Sequence, residues 1–374
     1  MVDVTDTGMA GFQNILLIQL GDIGDVVLTT PTICAVKETY PEAAVSILVR
    51  KPCGGLLVAD PHLDEVVELE KVRGALWQVL RESLRFVRRL RRARYDLVVD
   101  LRTGDRGAIL AGLTGARQRV GRNCPAKQFW HDLLFSRIVR DPPRGPPSLH
   151  PGVDQSLRVV RALGMDTGNS MPKLYVAPSD RQSAAALLGS CGLADGGCWI
   201  TINPFARWKY KEWAHEKWGR VIDRLWEAQE IRAVLVGSAE ESPAAARIVA
   251  GREGRAVNLA GRTTLGEMAA VLATSRLHLG VDSAPPHIAA AVGTPTLTIH
   301  GPTDWRLWRL VTERHRVVSL DLPCLPCCHM GCEDTGRSRC LDELAVETVQ
   351  AVATEMLGAL GVRGNSFDGP VSEC

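Results

Sequence analysis

The sequence of 374 residues lacks the glycine and aspartate patterns of several nucleotide-dependent enzymes. It has no Gly-Lys pair, which argues against a P-loop, and Gly21-Asp22-Ile23-Gly24 lacks the third glycine of the dinucleotide-binding fingerprint. No two aspartates lie two positions apart, so the Asp-x-Asp arrangement that holds a divalent cation on many diphosphate substrates is also missing. These absences weaken the ATPase and nicotinamide interpretations and favour chemistry without a metal.

The chain also lacks a strong excess of charge and a long apolar segment. Its 44 basic and 42 acidic residues give a net charge of +2, which does not favour nucleic acid as a partner. The longest uncharged run, 283–303, holds four prolines and is not typical of a membrane span. No basic start followed by an apolar stretch precedes residue 14, so we expect no targeting signal and a cytoplasmic protein.

Apolar runs of strand length alternate with helical patterns through both halves of the chain. Asn14–Leu20, Val45–Val49 and Tyr95–Leu101 predict buried parallel strands in the first half. The pattern restarts with Cys198–Ile202 and continues to Leu277–Val281 and beyond. We therefore predict an α/β protein with two doubly wound domains.

A strongly basic amphipathic helix is predicted within 71–94. Nine basic residues stand there against one acid, Glu82, and an apolar stripe runs through Leu76, Leu80 and Leu84. This composition is typical of a solvated helix face or of a surface that contacts anionic lipid or a phosphorylated acceptor, and it leaves both interpretations open.

Asp25 follows the first strand at a strand-to-helix junction, where ligands bind in α/β sheets. It is a candidate general base, and Asp22 in the same loop competes for that role. A carboxylate that only stabilises a helix N-terminus is the alternative.

Two segments of the second half carry features of an anion site. After the strand that ends at Val281, Ser283 is predicted to cap a helix whose N-terminus, with the free N–H groups of Ser283, Ala284 and His287, would suit a diphosphate. The loop 203–213 holds three cations and four aromatic rings, which would either neutralise a phosphate leaving group or anchor the loop.

Five of the eleven cysteines cluster near the C-terminus. Their Cys-x2-Cys spacing is compatible with zinc or an iron–sulfur cluster, whereas a structural loop or a disulfide is the other interpretation. The cluster comprises Cys324, Cys327, Cys328, Cys332 and Cys340.

Three ordered motifs together resemble the lipopolysaccharide heptosyltransferases, glycosyltransferase family 9. The resemblance extends from about Asn14 to Leu360. Its motifs are Ile15 to Pro31, the loop from Ala206-Arg207-Trp208 to Lys211-Glu212-Trp213, and Gly280-Val281-Asp282-Ser283 to Ala291, followed by Gly293-Thr294-Pro295 and Gly301-Pro302-Thr303-Asp304.

The resemblance implies a GT-B fold, in which two Rossmann-like domains face a central cleft, with the acceptor on the first and the nucleotide sugar on the second. It also implies an inverting, metal-independent transfer of heptose from ADP-L-glycero-D-manno-heptose to the inner core of lipopolysaccharide or a related envelope glycan, with ADP as product and no cofactor required. The lipid-linked acceptor adds a peripheral contact with the cytoplasmic face of the inner membrane as an expectation. The expected boundaries are 1–13 for a flexible N-terminus, 14–176 and 177–343 for the domains, 344–361 for a C-terminal helix packing back on the first domain, and 362–374 for a polar tail.

The resemblance also assigns roles to individual residues. Asp25 matches the general base, Lys211 the lysine that faces the donor phosphates, and Asp282 the acid near the donor sugar. The remaining expected contacts are Ser283 and His287 with the diphosphate, Glu240 or Glu241 with the ribose, Arg207 with the donor, and Asp22 and Gly24 with the acceptor.

Some positions depart from the family pattern. Ala284 and Pro286 replace a more usual glycine and bulky residue, and Gly21-Asp22 stands where small hydroxyl residues are common. Two alternatives follow: a nucleotide-sugar 2-epimerase of the same fold, or a non-catalytic protein that binds a nucleotide sugar.

Overall fold

The computed structural model describes residues 11–123, 129–140, 151–193, 197–310, 312–363 and 366–367. The chain divides into two compact units between Pro172 and Lys173, four residues before the predicted boundary at 176. No helix among these described residues is long and apolar enough to cross a membrane. The proline-rich stretch 141–147 lies outside them.

The first unit is built from alternating strands and helices. Its elements are β1 (Asn14–Gln19), α1 (Ile23–Val27), α2 (Thr30–Thr39), β2 (Ala44–Arg50), β3 (Glu65–Leu69), α3 (Leu76–Arg92), β4 (Leu97–Asp100), α4 (Asp105–Thr114), β5 (Gln118–Arg122), α5 (Phe129–Leu133), β6 (Arg137–Val139) and α6 (Pro151–Arg161).

The six strands of this unit form one parallel sheet in the order β3-β2-β1-β4-β5-β6. The central strand β1 is apolar almost throughout because both of its faces are covered, and Ile15 to Ile18 are fully buried. The predicted strands at 14–20, 45–49 and 95–101 are confirmed by β1, β2 and β4.

The second unit repeats this alternation. Its elements are α7 (Pro178–Ser190), β7 (Trp199–Asn203), α8 (His215–Gln229), β8 (Arg232–Leu235), α9 (Ser242–Val249), β9 (Ala256–Asn258), α10 (Leu265–Ala273), β10 (His278–Val281), α11 (Pro285–Ala291), β11 (Thr296–Ile299), β12 (His315–Val318), α12 (Arg339–Asp342), α13 (Val346–Ala359), β13 (Val362–Arg363) and β14 (Ser366–Phe367).

The strands β7 to β12 form a second parallel sheet in the order β12-β11-β10-β7-β8-β9. If β7 is counted as the first strand and the sheet is read from its β9 edge, this order is the same as that of the first sheet. Its core contains two fully buried indoles, Trp213 and Trp218, whose rings meet edge to face at a centroid distance of 5.2 Å.

The C-terminal helix belongs to the core of the second unit, and its expected packing on the first domain stays a prediction. On α13, Val349, Ala353 and Leu357 are fully buried in that core, so the helix follows its own apolar face. Glu347 pairs with Arg224 of α8 at 2.5 Å. The expected polar tail at 362–374 begins with the short antiparallel pair β13–β14.

Each sheet has one point at which the strand order reverses, which we call its switch point. In the first it lies between β1 and β4, and in the second between β7 and β10. Loops leaving neighbouring strands at such a point diverge to opposite faces and leave room for a ligand at the carboxyl edge.

Gly107 provides a test of the packing behind β4. A Cβ at this position would lie 2.2 Å from Oδ2 of Asp100, whose side chain is fully buried. We expect Gly107→Ala to lower the free energy of unfolding by about 2 kcal/mol or more, as overpacking does. Urea denaturation should show this loss.

Gly104→Ala is the matched control, because a Cβ at Gly104 meets nothing within 4 Å. Gly104→Ala should lower the free energy of unfolding by less than about 1 kcal/mol, since only the preference for glycine over alanine at a helix start is lost. Equal costs for the two variants would contradict the packing assigned to Asp100.

Candidate functional site

The loop after β1 is fixed by a buried glutamine. The Gln19 side chain accepts a hydrogen bond from the Gly21 N–H at 3.0 Å and donates one to Thr29 Oγ1 at 2.7 Å. Thr29 Oγ1 in turn donates to the Asp25 carbonyl, and the Asp22 N–H donates to Asp25 Oδ2 at 2.8 Å. The turn therefore presents the Asp25 carboxylate at the carboxyl edge of β1.

Asp25 forms an ion pair with an arginine from the other side of the switch point. Its Oδ1 lies 2.7 Å from Nη1 of Arg102, two residues beyond β4. Sequence reasoning missed Arg102. The sequence could have indicated Arg102 through its position directly after a predicted strand, at the same sheet edge as Asp25.

Asp22, the competing candidate, faces a different cation. Its Oδ1 lies 2.6 Å from Arg50 Nη2, and Arg50 also donates to the Gly21 carbonyl. The Asp22 side chain is 63% exposed, whereas that of Asp25 is 16% exposed. Gly24 lies in the first turn of α1, between the two carboxylates in sequence.

A third carboxylate, Asp100, is fully buried at the end of β4. Its Oδ1 accepts the Arg102 N–H at 3.1 Å, and its Oδ2 has no partner among the described residues. Burial raises the pKa of Asp100 to about 8, although the Arg102 N–H and guanidinium oppose the shift. Asp100 is therefore largely protonated at pH 7.

In the second unit, Lys211 and Asp282 come together at the switch point. Lys211 lies in the loop after β7 and Asp282 directly after β10, and their Nζ and Oδ2 atoms are 2.8 Å apart. Thr303 Oγ1 donates to the same oxygen at 2.7 Å, and Arg309 Nη2 lies 4.0 Å from Oδ1. The two residues were predicted as donor contacts, whereas Arg309 was missed because it follows no strand directly.

The charges around Asp282 balance one another in a buried setting. Burial alone would raise the pKa of Asp282, but His300, Lys211 and Arg309 lower it well below its usual range. Burial lowers the pKa of Arg309 to about 10, and Asp282 opposes that shift. The Asp282 carboxylate and the Arg309 guanidinium thus stay charged at neutral pH.

At neutral pH His300 is an uncharged ring in this cluster, and it becomes a cation only in the acidic range in which Asp282 titrates. Burial lowers its pKa to about 3, while Asp282 opposes the shift. Its Nε2 lies 3.1 Å from the Arg309 Nε–H, so Nε2 accepts and the hydrogen resides on Nδ1. The ring therefore orients the Arg309 guanidinium beside Asp282.

The predicted helix start at 283–287 needs correction. Helix α11 is preceded by Ala284 as its N-cap, and Ser283 does not cap it. The Ser283 hydroxyl instead donates to Oδ1 of Asn203 at 2.9 Å, which ties the β10 loop to β7. The His287 N–H donates to the Ala284 carbonyl and is not free.

The loop 203–213 divides its rings between two tasks. Phe205 and Trp213 are buried and anchor the loop, whereas Trp208 is half exposed, with the Arg207 guanidinium above its ring. Glu212 closes the turn by accepting from the Ala206 N–H at 3.0 Å and from Lys209. The anchoring interpretation is therefore confirmed for Phe205 and Trp213, and the neutralisation of a phosphate stays a prediction.

The expected ribose contacts follow β8. Glu241 is used locally, since its Oε2 accepts the Ser238 N–H at 2.7 Å. Glu240 is exposed, and its pKa is lowered by its own backbone N–H and by Ser238. Glu240 is thus the more accessible of the two.

The five clustered cysteines are free thiols in the structure, so the disulfide alternative is wrong for them. Burial raises the pKa of Cys340 to about 11, and the nearby Cys332 and Cys327 add to the shift. Within the described ranges no three His, Cys, Asp or Glu side chains are arranged to hold a metal ion.

The two switch points offer complementary chemistry. The first unit presents Asp25, a carboxylate that can accept a proton from a hydroxyl group. The second presents Lys211 and Arg309 around Asp282, a set that can neutralise an anion and accept hydrogen bonds from hydroxyls.

Comparisons with known proteins agree on one family. A family model described as glycosyltransferase family 9 (heptosyltransferase) matches residues 83–336. Lipopolysaccharide heptosyltransferase 3 of Escherichia coli is 30% identical over 293 residues, covering 76% of this chain and 83% of the relative.

Solved structures share the fold. The family 9 glycosyltransferase of Veillonella parvula superposes with a TM-score of 0.76 at 20% identity, covering 93% of this chain and 97% of the other. The ADP-heptose lipopolysaccharide heptosyltransferase II of E. coli gives 0.72 at 20% identity, with 93% and 98% covered. The predicted GT-B architecture of two Rossmann-like domains is thereby confirmed.

The protonated state of Asp100 predicts a pH dependence of stability. Its pKa rises from the ordinary value of 3.8 to about 8 on folding, so the native state binds the extra proton. This contribution is complete below pH 4 and is lost as the pH rises through about 8. Between pH 5 and pH 8 the wild type should lose about 1 kcal/mol or more through this residue.

Asp100→Asn keeps the shape and the acceptor for the Arg102 N–H but cannot titrate. Urea denaturation at the two pH values should therefore show a smaller loss for the variant than for the wild type. Parallel losses in both proteins would mean that Asp100 is not the titrating group.

Proposed function

This chain belongs to glycosyltransferase family 9, the heptosyltransferases, and on that premise we propose that it transfers a heptose from ADP-L-glycero-D-manno-heptose to the inner core of lipopolysaccharide or a related envelope glycan. It is a glycosyltransferase by family. The observation that supports the specific reaction is that the family's base, lysine and acid match Asp25, Lys211 and Asp282, which lie at the two switch points.

Asp25 acts as the general base of the transfer. Its carboxylate takes the proton from an acceptor hydroxyl, and the oxygen attacks the anomeric carbon on the face opposite ADP. The bond to the diphosphate breaks as the new glycosidic bond forms, which inverts the anomeric configuration through an oxocarbenium-like transition state. Arg102 holds the carboxylate in place at 2.7 Å.

Lys211 stabilises the leaving diphosphate. Negative charge accumulates there as the glycosidic bond to ADP breaks, and a preorganised cation lowers the energy of that charge. Asp282 holds Lys211 in the absence of donor and accepts hydrogen bonds from donor hydroxyls when the sugar is present. The ribose is assigned to Glu240 or Glu241, and the diphosphate also to Ser283, His287 and Arg207.

The transfer requires no metal or other cofactor in this proposal. Support comes from the absence of an Asp-x-Asp pair and from the cations that already face Asp282. Turnover should therefore persist in excess EDTA. The lipid-linked acceptor further places the working protein at the cytoplasmic face of the inner membrane.

Mass spectrometry tests the reaction directly. ADP-heptose is incubated with the purified protein, with and without a Kdo-containing lipid A acceptor. A heptose-sized gain on the acceptor with release of ADP supports the proposal. An altered sugar without acceptor would indicate an epimerase, and an intact donor in both arms would contradict heptosyl transfer.

Asp25→Asn should lower kcat at least about 100-fold, because a positioned base contributes roughly that factor. Asp22→Asn separates the two carboxylates of this loop: Asp22, an expected acceptor contact that pairs with Arg50, should cost less kcat than Asp25. Initial rates of ADP release measure both, and circular dichroism confirms folding. Near wild-type turnover of Asp25→Asn would remove Asp25 as the base.

Lys211→Met should weaken ADP binding about tenfold or more, because a charge-assisted contact to the diphosphate is lost. Lys209→Met removes a charge two positions away that pairs with Glu212 and is mostly exposed, so its effect should be small. Isothermal titration calorimetry with ADP measures both affinities. Equal losses would indicate a general effect of loop charge.

A further inference from the structure

Helix α3 exposes a row of large apolar side chains that the fold does not cover. Leu76 is 85% exposed, Trp77 61%, Leu80 59% and Leu84 47%. Leu76, Leu80 and Leu84 lie on successive turns, and Trp77 stands beside them. We name these four residues the apolar row of α3.

The orientation of the helix is fixed by its other side. Leu90 is fully buried, and Phe86 packs partly against the core of the first unit. The apolar row therefore faces outward because α3 is anchored through different residues. It is a stable feature of the surface, not the result of an undocked helix.

A band of arginines borders the row. Successive residues of an α-helix are rotated by about 100° around its axis, so the apolar row covers a sector of the helix surface about 100° wide. The adjoining sector of about 60° is occupied by Arg88, Arg81, Arg92 and Arg85. Arg81 and Arg85 share Glu82 as a partner. For Arg88 and Arg92, the described part of the chain provides no ion pair.

Each feature alone would fit several partners, but the two together select one. A polyanion such as nucleic acid would use the arginines and leave the apolar row in water. An anionic lipid surface uses both, because arginines contact the headgroups while leucine and tryptophan enter the interface. Tryptophan in particular favours the boundary between headgroups and acyl chains.

We propose that α3 docks the first unit on an anionic lipid bilayer, with the apolar row inserted at the interface and the arginine band on the headgroups. The docking is inferred from the surface of α3 alone. The role of this docking in bringing the protein to a lipid-linked acceptor rests on the proposed function.

Vesicle flotation tests the docking in the absence of nucleotide sugar and acceptor. The full chain is mixed with vesicles of phosphatidylglycerol or of phosphatidylcholine. We expect binding to phosphatidylglycerol that falls with added salt and binding to phosphatidylcholine that is at least about tenfold weaker. Equal binding to the two lipids, or none to either, would overturn the proposal.

Two sets of variants separate the apolar and electrostatic contributions. The triple change Leu76→Ser, Trp77→Ser and Leu80→Ser and the double change Arg88→Gln and Arg92→Gln should each lower the partition coefficient about tenfold. Met171→Ser and Arg247→Gln, at exposed positions outside α3, are the controls and should leave it unchanged. Unchanged binding by both sets of α3 variants would exclude this helix.

A spectroscopic measurement distinguishes insertion from charge attraction alone. Vesicles should shift the tryptophan emission of the wild type to shorter wavelength, and Trp77→Phe should lose that shift while it still binds. A shift that persists in Trp77→Phe would contradict insertion of the row. Because no sugar is transferred in these experiments, binding without transferase activity would overturn only the proposed function, and transfer without binding only this inference.

Discussion

The reversal of strand order within each parallel sheet is the constraint on which the candidate site depends. It brings Asp25 and Arg102 to one carboxyl edge although 77 positions separate them, and it does the same for Lys211 and Asp282 across 71 positions. Parallel strands carry all their carboxyl ends to the same side, and the reversal prevents a helix from covering the gap between two of them. The functional side chains could therefore change without rebuilding the sheets.

Two buried carboxylates show how surroundings decide charge. Asp282 has a lysine, an arginine and a hydroxyl within reach, and it stays ionised despite burial. Asp100 has one backbone N–H and an oxygen without a partner among the described residues, and its proton is retained near neutral pH. The first arrangement can exchange its cation with a ligand, whereas the second holds the Arg102 backbone just beyond β4.

Sequence reasoning recovered the central strands but not the outer ones. β1, β2 and β4 are continuous apolar runs because both faces are buried, whereas β3, β5 and β12 lie towards or at the sheet edges and carry charged residues. Asp25, Lys211 and Asp282 were accessible through their motifs. The hydrogen bond from Ser283 to Asn203 spans 80 positions. A local sequence pattern therefore predicted Ser283 as a helix cap and could not predict this bond.

Each sheet has its own buried core, one around Leu16 and Val98 and the other around Trp213 and Trp218. Separate cores of this size can melt as separate cooperative transitions. Heat or urea is therefore expected to act on the chain as on two linked proteins, so that one unit could lose its structure while the other keeps its own. Calorimetric traces would then show two separate peaks, one for each half of the chain.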